Sequence, residues 1–293
     1  MDLGSNTFHL LIVEKKDDQS FEVLYRKRQY TKLSKAGGDL IAPDSFQKGI
    51  DCLKEFRTKM EQYSVSEYKA LGTETLRKAS NGPLFIQTAQ KESNISIELI
   101  DGNQEAQFIA KGVQRALKGD VDDYLIMDIG GGSIEFIQII HGTVHWFKSF
   151  PLGLGVLKKA FPHNEPITQN QIEEIEAYLE HELYDLWEQL KLIPLTSLTG
   201  ASGSFEVLVD ILQLKKTKDH YVKVGIDQFN QVYHNILCLD ANQRTNHPGI
   251  PPERADLIVI AFILMRKVSS KMQALDLYIS DFAIKEGIIE SYF

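Results

Sequence analysis

Asp128-Ile129-Gly130-Gly131-Gly132-Ser133-Ile134-Glu135-Phe136 repeats, in a distant part of the chain, the pattern of Asp2-Leu3-Gly4-Ser5-Asn6-Thr7-Phe8-His9-Leu10. Each copy sets an Asp and an apolar residue before a Gly-bearing turn and a hydroxyl residue. Each then runs into an apolar stretch of strand character, Leu10-Leu11-Ile12-Val13 after the first and Phe136-Ile137-Gln138-Ile139-Ile140 after the second. A P-loop or Rossmann turn leads from a strand into a helix, whose N-terminus holds the phosphate. Here a strand follows the glycines, so the expected element is a hairpin tip. Glycine lets the backbone turn sharply and lets N–H groups approach an anion with no Cβ in the way. Two such tips, one per half, predict two similar domains facing each other across a phosphate-binding cleft.

The 293 residues suit two domains of ordinary size, and 43% hydrophobic with 25% charged residues is a normal globular composition. A net charge of −8 argues against a nucleic-acid partner, which asks for a basic face. It leaves a phosphorylated substrate open, because a divalent cation can supply positive charge locally. Cys52 and Cys238 are isolated in helix-like stretches and read as buried thiols of a reducing, cytoplasmic compartment. The charged residues Glu14 to Asp18 cut the first apolar stretch too short for a signal peptide. The apolar run Leu257 to Met265 is too short for a membrane span. Asp2 should close a strand, yet only Met1 precedes it, so the first strand is expected to be truncated and to gain stability from apolar residues placed before it.

The spacing of apolar residues predicts strands at Phe21–Leu33, Tyr68–Thr73 and Ser96–Ile100, and helices at Asp44–Tyr63, Glu74–Ser80, Pro83–Glu92 and Gly102–Leu117. The polar stretch Lys118 to Asp123 is the expected boundary, giving domains 1–119 and 120–293. The second half reads as strands Tyr124–Ile129, Thr143–Pro151, Leu195–Thr199 and Leu275–Ile279. Its helices are expected from the Thr168/Gln171 capping box to about Leu190, and at Phe205–Leu214, Gln228–Leu239, Pro252–Met272 and Phe282–Tyr292, the last able to pack back on the first domain. Both halves thus read strand–strand–strand–helix–strand–helix, an α/β architecture.

Between the tips stand the residues with chemistry. Glu105 opens the helix that closes the first half, where it serves either as a partner of the helix dipole or as a cleft-facing acid. Thr73 and Arg77 lie in a strand-to-helix turn, where Arg77 either clamps a phosphate bidentately or makes a surface ion pair. Glu135 follows Ser133 by two residues and shares its strand face, beside Asp128. Paired carboxylates near phosphate imply Mg²⁺ or Mn²⁺. No histidine has Cys or His neighbours at zinc-like spacing.

Together with Gly72-Thr73-Glu74-Thr75-Leu76-Arg77, Ile97 to Ala106, Gly200-Ala201-Ser202-Gly203, Pro252 to Asp256 and Ser280 to Gly287, the two hairpins resemble the motifs of the exopolyphosphatase / guanosine pentaphosphate phosphohydrolase (Ppx/GppA) family. The resemblance runs through the whole chain in order. It implies two ribonuclease-H-like domains of the actin/Hsp70/sugar-kinase type. It also implies Mg²⁺-dependent release of terminal phosphate from inorganic polyphosphate, with guanosine pentaphosphate as the alternative substrate; a homodimer is left open. By motif, the catalytic base falls on Glu105, the second acid on Glu135, and the metal on Asp128 with Glu135. Phosphate binding falls on Gly4, Ser5, Asn6, Thr73, Arg77, Gly130, Gly131, Gly132 and Ser133. Phe282, Ala261-Phe262 and Pro151 depart from the family pattern and bear on substrate preference. A kinase of the same superfamily and a non-catalytic polyphosphate or alarmone sensor are the rival readings.

Overall fold

The structure is a computed structural model that describes residues 1–16, 20–37, 39–215 and 220–293. The first half contains β1 (Asp2–Leu3), β2 (Thr7–Lys15), β3 (Phe21–Tyr30), α1 (Pro43–Gln62), β4 (Leu71–Gly72), α2 (Glu74–Lys78), α3 (Gly82–Ser93), β5 (Glu98–Leu99) and α4 (Gly102–Leu117). A short 3₁₀ turn, Leu33–Ala36, lies between β3 and α1. The second half contains β6 (Tyr124–Ile129), β7 (Ile134–Ile140), β8 (Thr143–Phe150), α5 (Leu154–Ala160), α6 (Gln169–Glu182), α7 (Tyr184–Leu192), β9 (Ser197–Gly200) and α8 (Gly203–Ile211). It closes with β10 (Tyr221–Gly225), α9 (Ile226–Leu237), α10 (Ala241–Thr245), α11 (Ile258–Lys271), β11 (Asp276–Ser280) and α12 (Ile284–Tyr292).

The two sheets repeat one plan. The first runs β3-β2-β1-β4-β5 and the second β8-β7-β6-β9-β11-β10. In each, a three-stranded antiparallel meander continues into parallel strands, β1 to β4 to β5 and β6 to β9 to β11. The register repeats as well. Asp2 stands opposite His9 in the first hairpin, and Asp128 stands opposite Glu135 in the second. Parallel strands need crossover helices, so each unit is an α/β layer structure with its Gly-rich tips at one end.

Helices α4 and α12 lie together between the sheets. Ile109, Val113 and Leu117 of α4 share a buried cluster with Ile126 and Ile137 of the second sheet, Leu71 of the first, and Ile284 and Ile288 of α12. The two helices approach at glycines. A Cβ on Gly112 would stand 2.0 Å from the Ala283 carbonyl oxygen, and one on Gly287 1.7 Å from that of Phe108. A methyl group cannot enter without separating the helices. Gly112→Ala is therefore expected to destabilise the fold by about 1–3 kcal/mol, read as a lower midpoint in urea unfolding.

Several elements differ from the sequence expectation. The helix expected from Thr168 to Leu190 breaks at Leu183 (φ −93°, ψ 20°) into α6 and α7. The Trp187 indole N–H then donates to the Glu180 carbonyl at 3.0 Å, satisfying a carbonyl of the interrupted turn. The helix expected from Pro252 begins only at Ile258, because the Arg254 and Leu257 N–H groups donate three residues back, to the Pro251 and Arg254 carbonyls, in tight turns. Elements α5, α10 and β10 carry no strong periodicity and were not expected. Cys52 is buried, which pushes its thiol up to about 12, whereas Cys238 is exposed and departs from the buried-thiol reading.

Candidate active site

Each hairpin tip is closed by the same hydrogen bond. Gly4 N–H donates to the Thr7 carbonyl at 3.1 Å, and Gly130 N–H to that of Ser133 at 2.9 Å. The tips meet. A Cβ on Gly131 would stand 2.4 Å from the Asn6 side-chain nitrogen, and one on Gly132 would stand 3.3 Å from Ser5 Oγ. Only glycine leaves room there for the opposing tip. Asn6 is held in turn by the Ser34 hydroxyl, which donates to its Oδ1 at 2.8 Å.

Around the tips opens a cavity of about 590 Å³. It is lined by Gly4, Ser5, Asn6, Thr73, Glu105, Asp128, Gly130, Gly131, Gly132, Ser133 and Glu135, which come from both halves. Arg77 is the one expected residue that does not line it. Its side chain is exposed, and its guanidinium donates to the Ile100 carbonyl. It is still near enough to draw down the pKa values of Glu105 and Glu135.

Glu105 reaches the cavity because of how α4 begins. Asp101 caps the helix, accepting from Gln104 N–H at 2.8 Å, and the Gln104 side chain accepts from Asp101 N–H at 3.1 Å. This fixes the first turn and sends Glu105, one residue on, into the cleft. Gly102 lets the turn lie against β8, since a Cβ there would be 3.3 Å from Ser149 Cβ. Ser149 Oγ donates to Glu135 Oε1 at 2.7 Å, so the same contact places Glu135 beside Glu105.

The floor of the cleft is acidic, with Glu135 buried and Asp2, Glu105 and Asp128 half-buried. Burial pushes Asp2 up to about 6 and Glu135 up to about 7. The Ser133 and Ser149 hydroxyls pull Glu135 back down, and Glu74 pushes it up. Glu105 and Asp128 stand well above the ordinary carboxylate range, first through burial and then through mutual repulsion with Glu135 and Asp2. Glu74, at the start of α2, adds a buried Oε2 with no hydrogen-bond partner, 2.5 Å from where a Cβ on Gly132 would lie.

Sequence reasoning passed over the opposite charge. His9, Arg28, Arg254 and Lys285 line the same cavity, as do Lys32, Lys35, Lys158 and Lys159. His9 could have been found by counting, since it follows Asp2 by the seven residues that separate Glu135 from Asp128. Burial, then Lys285 and Arg28, holds its imidazole well below the usual histidine range and therefore neutral. Arg28 joins the halves through two hydrogen bonds to Glu206, at 2.6 and 2.8 Å.

Two repeated α/β units thus set facing Gly-rich tips over a carboxylate floor. Residues 12–293 match the Ppx/GppA phosphatase family, and the chain belongs to it. An exopolyphosphatase from Cytophaga hutchinsonii, known from a crystal structure, is 30% identical, with a TM-score of 0.94 over 99% of this chain and 95% of that one. A curated Haemophilus influenzae relative, provisionally named an exopolyphosphatase, is 25% identical over 99% of this chain and 90% of its own length. The Aquifex aeolicus PPX-GPPA enzyme shares the fold, at 22% identity and a TM-score of 0.82 over 99% of this chain and 97% of that one.

Proposed function

We propose that this chain releases terminal orthophosphate from inorganic polyphosphate by attack of water, in the cytoplasm. The observation that carries the reading is the contact of the twin tips beside Glu105. A terminal phosphate in the cavity that the touching tips line lies next to a carboxylate that can orient and deprotonate water. Phosphoryl transfer asks for little else than positioning and charge stabilisation. Lys285, Arg28 and the cleft lysines offset the anion, and neutral His9 offers a hydrogen bond without a charge.

Mg²⁺ or Mn²⁺ fits this floor. The donors are carboxylate oxygens, and their raised pKa values mark a charge deficit that a hard cation removes. Asp128 and Glu135, opposite each other in register, would hold it. Among the described residues no three His, Cys, Asp or Glu side chains form a metal-ligand cluster, so the ion's remaining ligands would be waters and substrate phosphates. When bound, the ion would polarise phosphoryl oxygens.

Polyphosphate is preferred over guanosine pentaphosphate because the cleft residues described above grip phosphate, while none presents a guanine-shaped set of donors and acceptors. The test is kcat/KM for long-chain polyphosphate, guanosine pentaphosphate and ATP under one buffer and metal condition. The highest value is expected for polyphosphate. A tenfold preference for the guanosine compound, about 1.4 kcal/mol of transition-state stabilisation, would reverse the assignment. Tight binding without turnover of any of the three would make the protein a sensor.

A further inference from the structure

We propose that Lys32 and Lys35 of the first half and Lys158 and Lys159 of the second form a distal subsite for the non-reacting phosphates of a linear polyphosphate. The proposal rests on the reading that the tips hold the phosphate being removed.

The two pairs sit on arms built in parallel ways. In the first half, the N–H groups of Thr31 and Lys32 both donate to the Asn6 carbonyl at 2.9 Å, and Ser34 N–H donates to that of Ser5 at 3.0 Å. These bonds tie the 3₁₀ turn and its lysines to the first tip. In the second half, Gly153, Leu154 and Gly155 N–H groups donate to the carbonyls of Gly132, Gly130 and Gly131 at 3.0, 3.0 and 2.9 Å. These tie the start of α5 and its lysines to the second tip. Each phosphate-facing turn thus has a cationic arm fixed to its own carbonyls.

The arms meet where nothing intervenes. Gly37 has φ +96°, and a Cβ there would be 3.0 Å from Lys159 Nζ; one on Gly155 would be 3.4 Å from Ser34 Oγ. All four lysines are exposed, whereas Glu135 is buried and Asp2 and Asp128 are half-buried, so the cations stand outward of the acidic floor. Lys35 pairs with Asp44 at 2.7 Å and Lys158 with Asp256 at 2.9 Å, both in solvent. Such pairs are weak, so a phosphate competes with them. Among the described residues neither Lys32 nor Lys159 makes a direct ion pair, although Glu253 and Asp256 line the same cavity and Lys32 is near enough to Asp256 to help draw its carboxyl down. The four ammonium groups bring four positive charges to one cavity. A phosphate group held at the tips leaves these charges unmet, whereas a polyanion running outward from the tips meets both pairs. Chain length, rather than the identity of the terminal phosphate, is what the arms read.

The test compares the parent with Lys32→Ala/Lys159→Ala in the full chain. The measured quantity is the ratio of kcat/KM for long-chain polyphosphate to that for tripolyphosphate. The ratio is expected to fall about tenfold, or 1.4 kcal/mol, with a shallower salt dependence of KM for the long chain. A ratio within about twofold of the parent overturns the proposal. Should the parent hydrolyse neither substrate, the hydrolytic reading fails, and equilibrium binding of long-chain polyphosphate decides the subsite. Weaker binding by the double variant then supports it, and equal binding overturns it.

Discussion

Glu105→Gln is expected to lower polyphosphate turnover by roughly 10²–10⁴-fold while leaving KM within about threefold. Gln preserves the length and hydrogen-bonding oxygen of the side chain but cannot take a proton from water. The capping box of Asp101 and Gln104 is untouched, so α4 should begin as before. The competing account, in which Glu105 only complements the helix dipole, predicts a stability loss of about 0.3–1 kcal/mol and little change in rate. Steady-state kinetics and a thermal melt on the same sample separate the two. The pH profile adds a second readout. A base works when deprotonated, and burial with neighbouring carboxylates holds Glu105 well above the usual range. Parent activity should therefore climb with pH along an acid limb lying above ordinary carboxylate titration. Glu105 and Glu135 interact, so the limb belongs to the pair. Residual Glu105→Gln activity should lack it, and activity within a few-fold of the parent would falsify the role of Glu105.

The fold was legible where one residue type has one physical use. Glycines between apolar runs, each preceded by Asp, announced the hairpins, and β6 and α4 have the expected bounds because their periodicity matches their burial. The break at Leu183 was not legible, since apolar periodicity continues across it and the compensating Trp187 bond is a tertiary choice. The placement of Arg77 depends on the Ile100 carbonyl, 23 residues away, which no local pattern encodes. Lysines are the hardest case. Exposed charge has no periodic signature, and Lys32 reaches the cleft through its bond to the distant Asn6 carbonyl, Lys159 through a helix whose start is tied to the second tip. The acids of the site were readable as motif members, while the cations that balance them had to be seen in three dimensions.

Glu135→Gln should make the protein more stable than the parent at pH 8 in the absence of divalent cations, by roughly 3 kcal/mol, and equally stable at pH 4. The sign follows from the direction of the shift. Glu135 titrates at about 7 in the folded chain and near 4.5 when unfolded. Its contribution to stability is complete below 4.5, where both states carry the proton, and is lost as pH rises through 7. Gln is neutral throughout and can still accept from Ser149, so it escapes that loss. Asp2, held at about 6 by burial, should behave in the same direction. Carboxylates elsewhere titrate oppositely, as Asp256 does beside Lys158, so the measurement must be the difference between parent and variant. Adding Mg²⁺ then separates a cation site from a merely buried acid. An ion that binds only the folded parent stabilises it by mass action, by about 2.7 kcal/mol at a hundredfold excess over Kd. The variant, deprived of one carboxylate ligand, should gain much less. Equal stabilisation of both proteins, or a difference between them that does not vary with pH, would remove Glu135 from the proposed metal site.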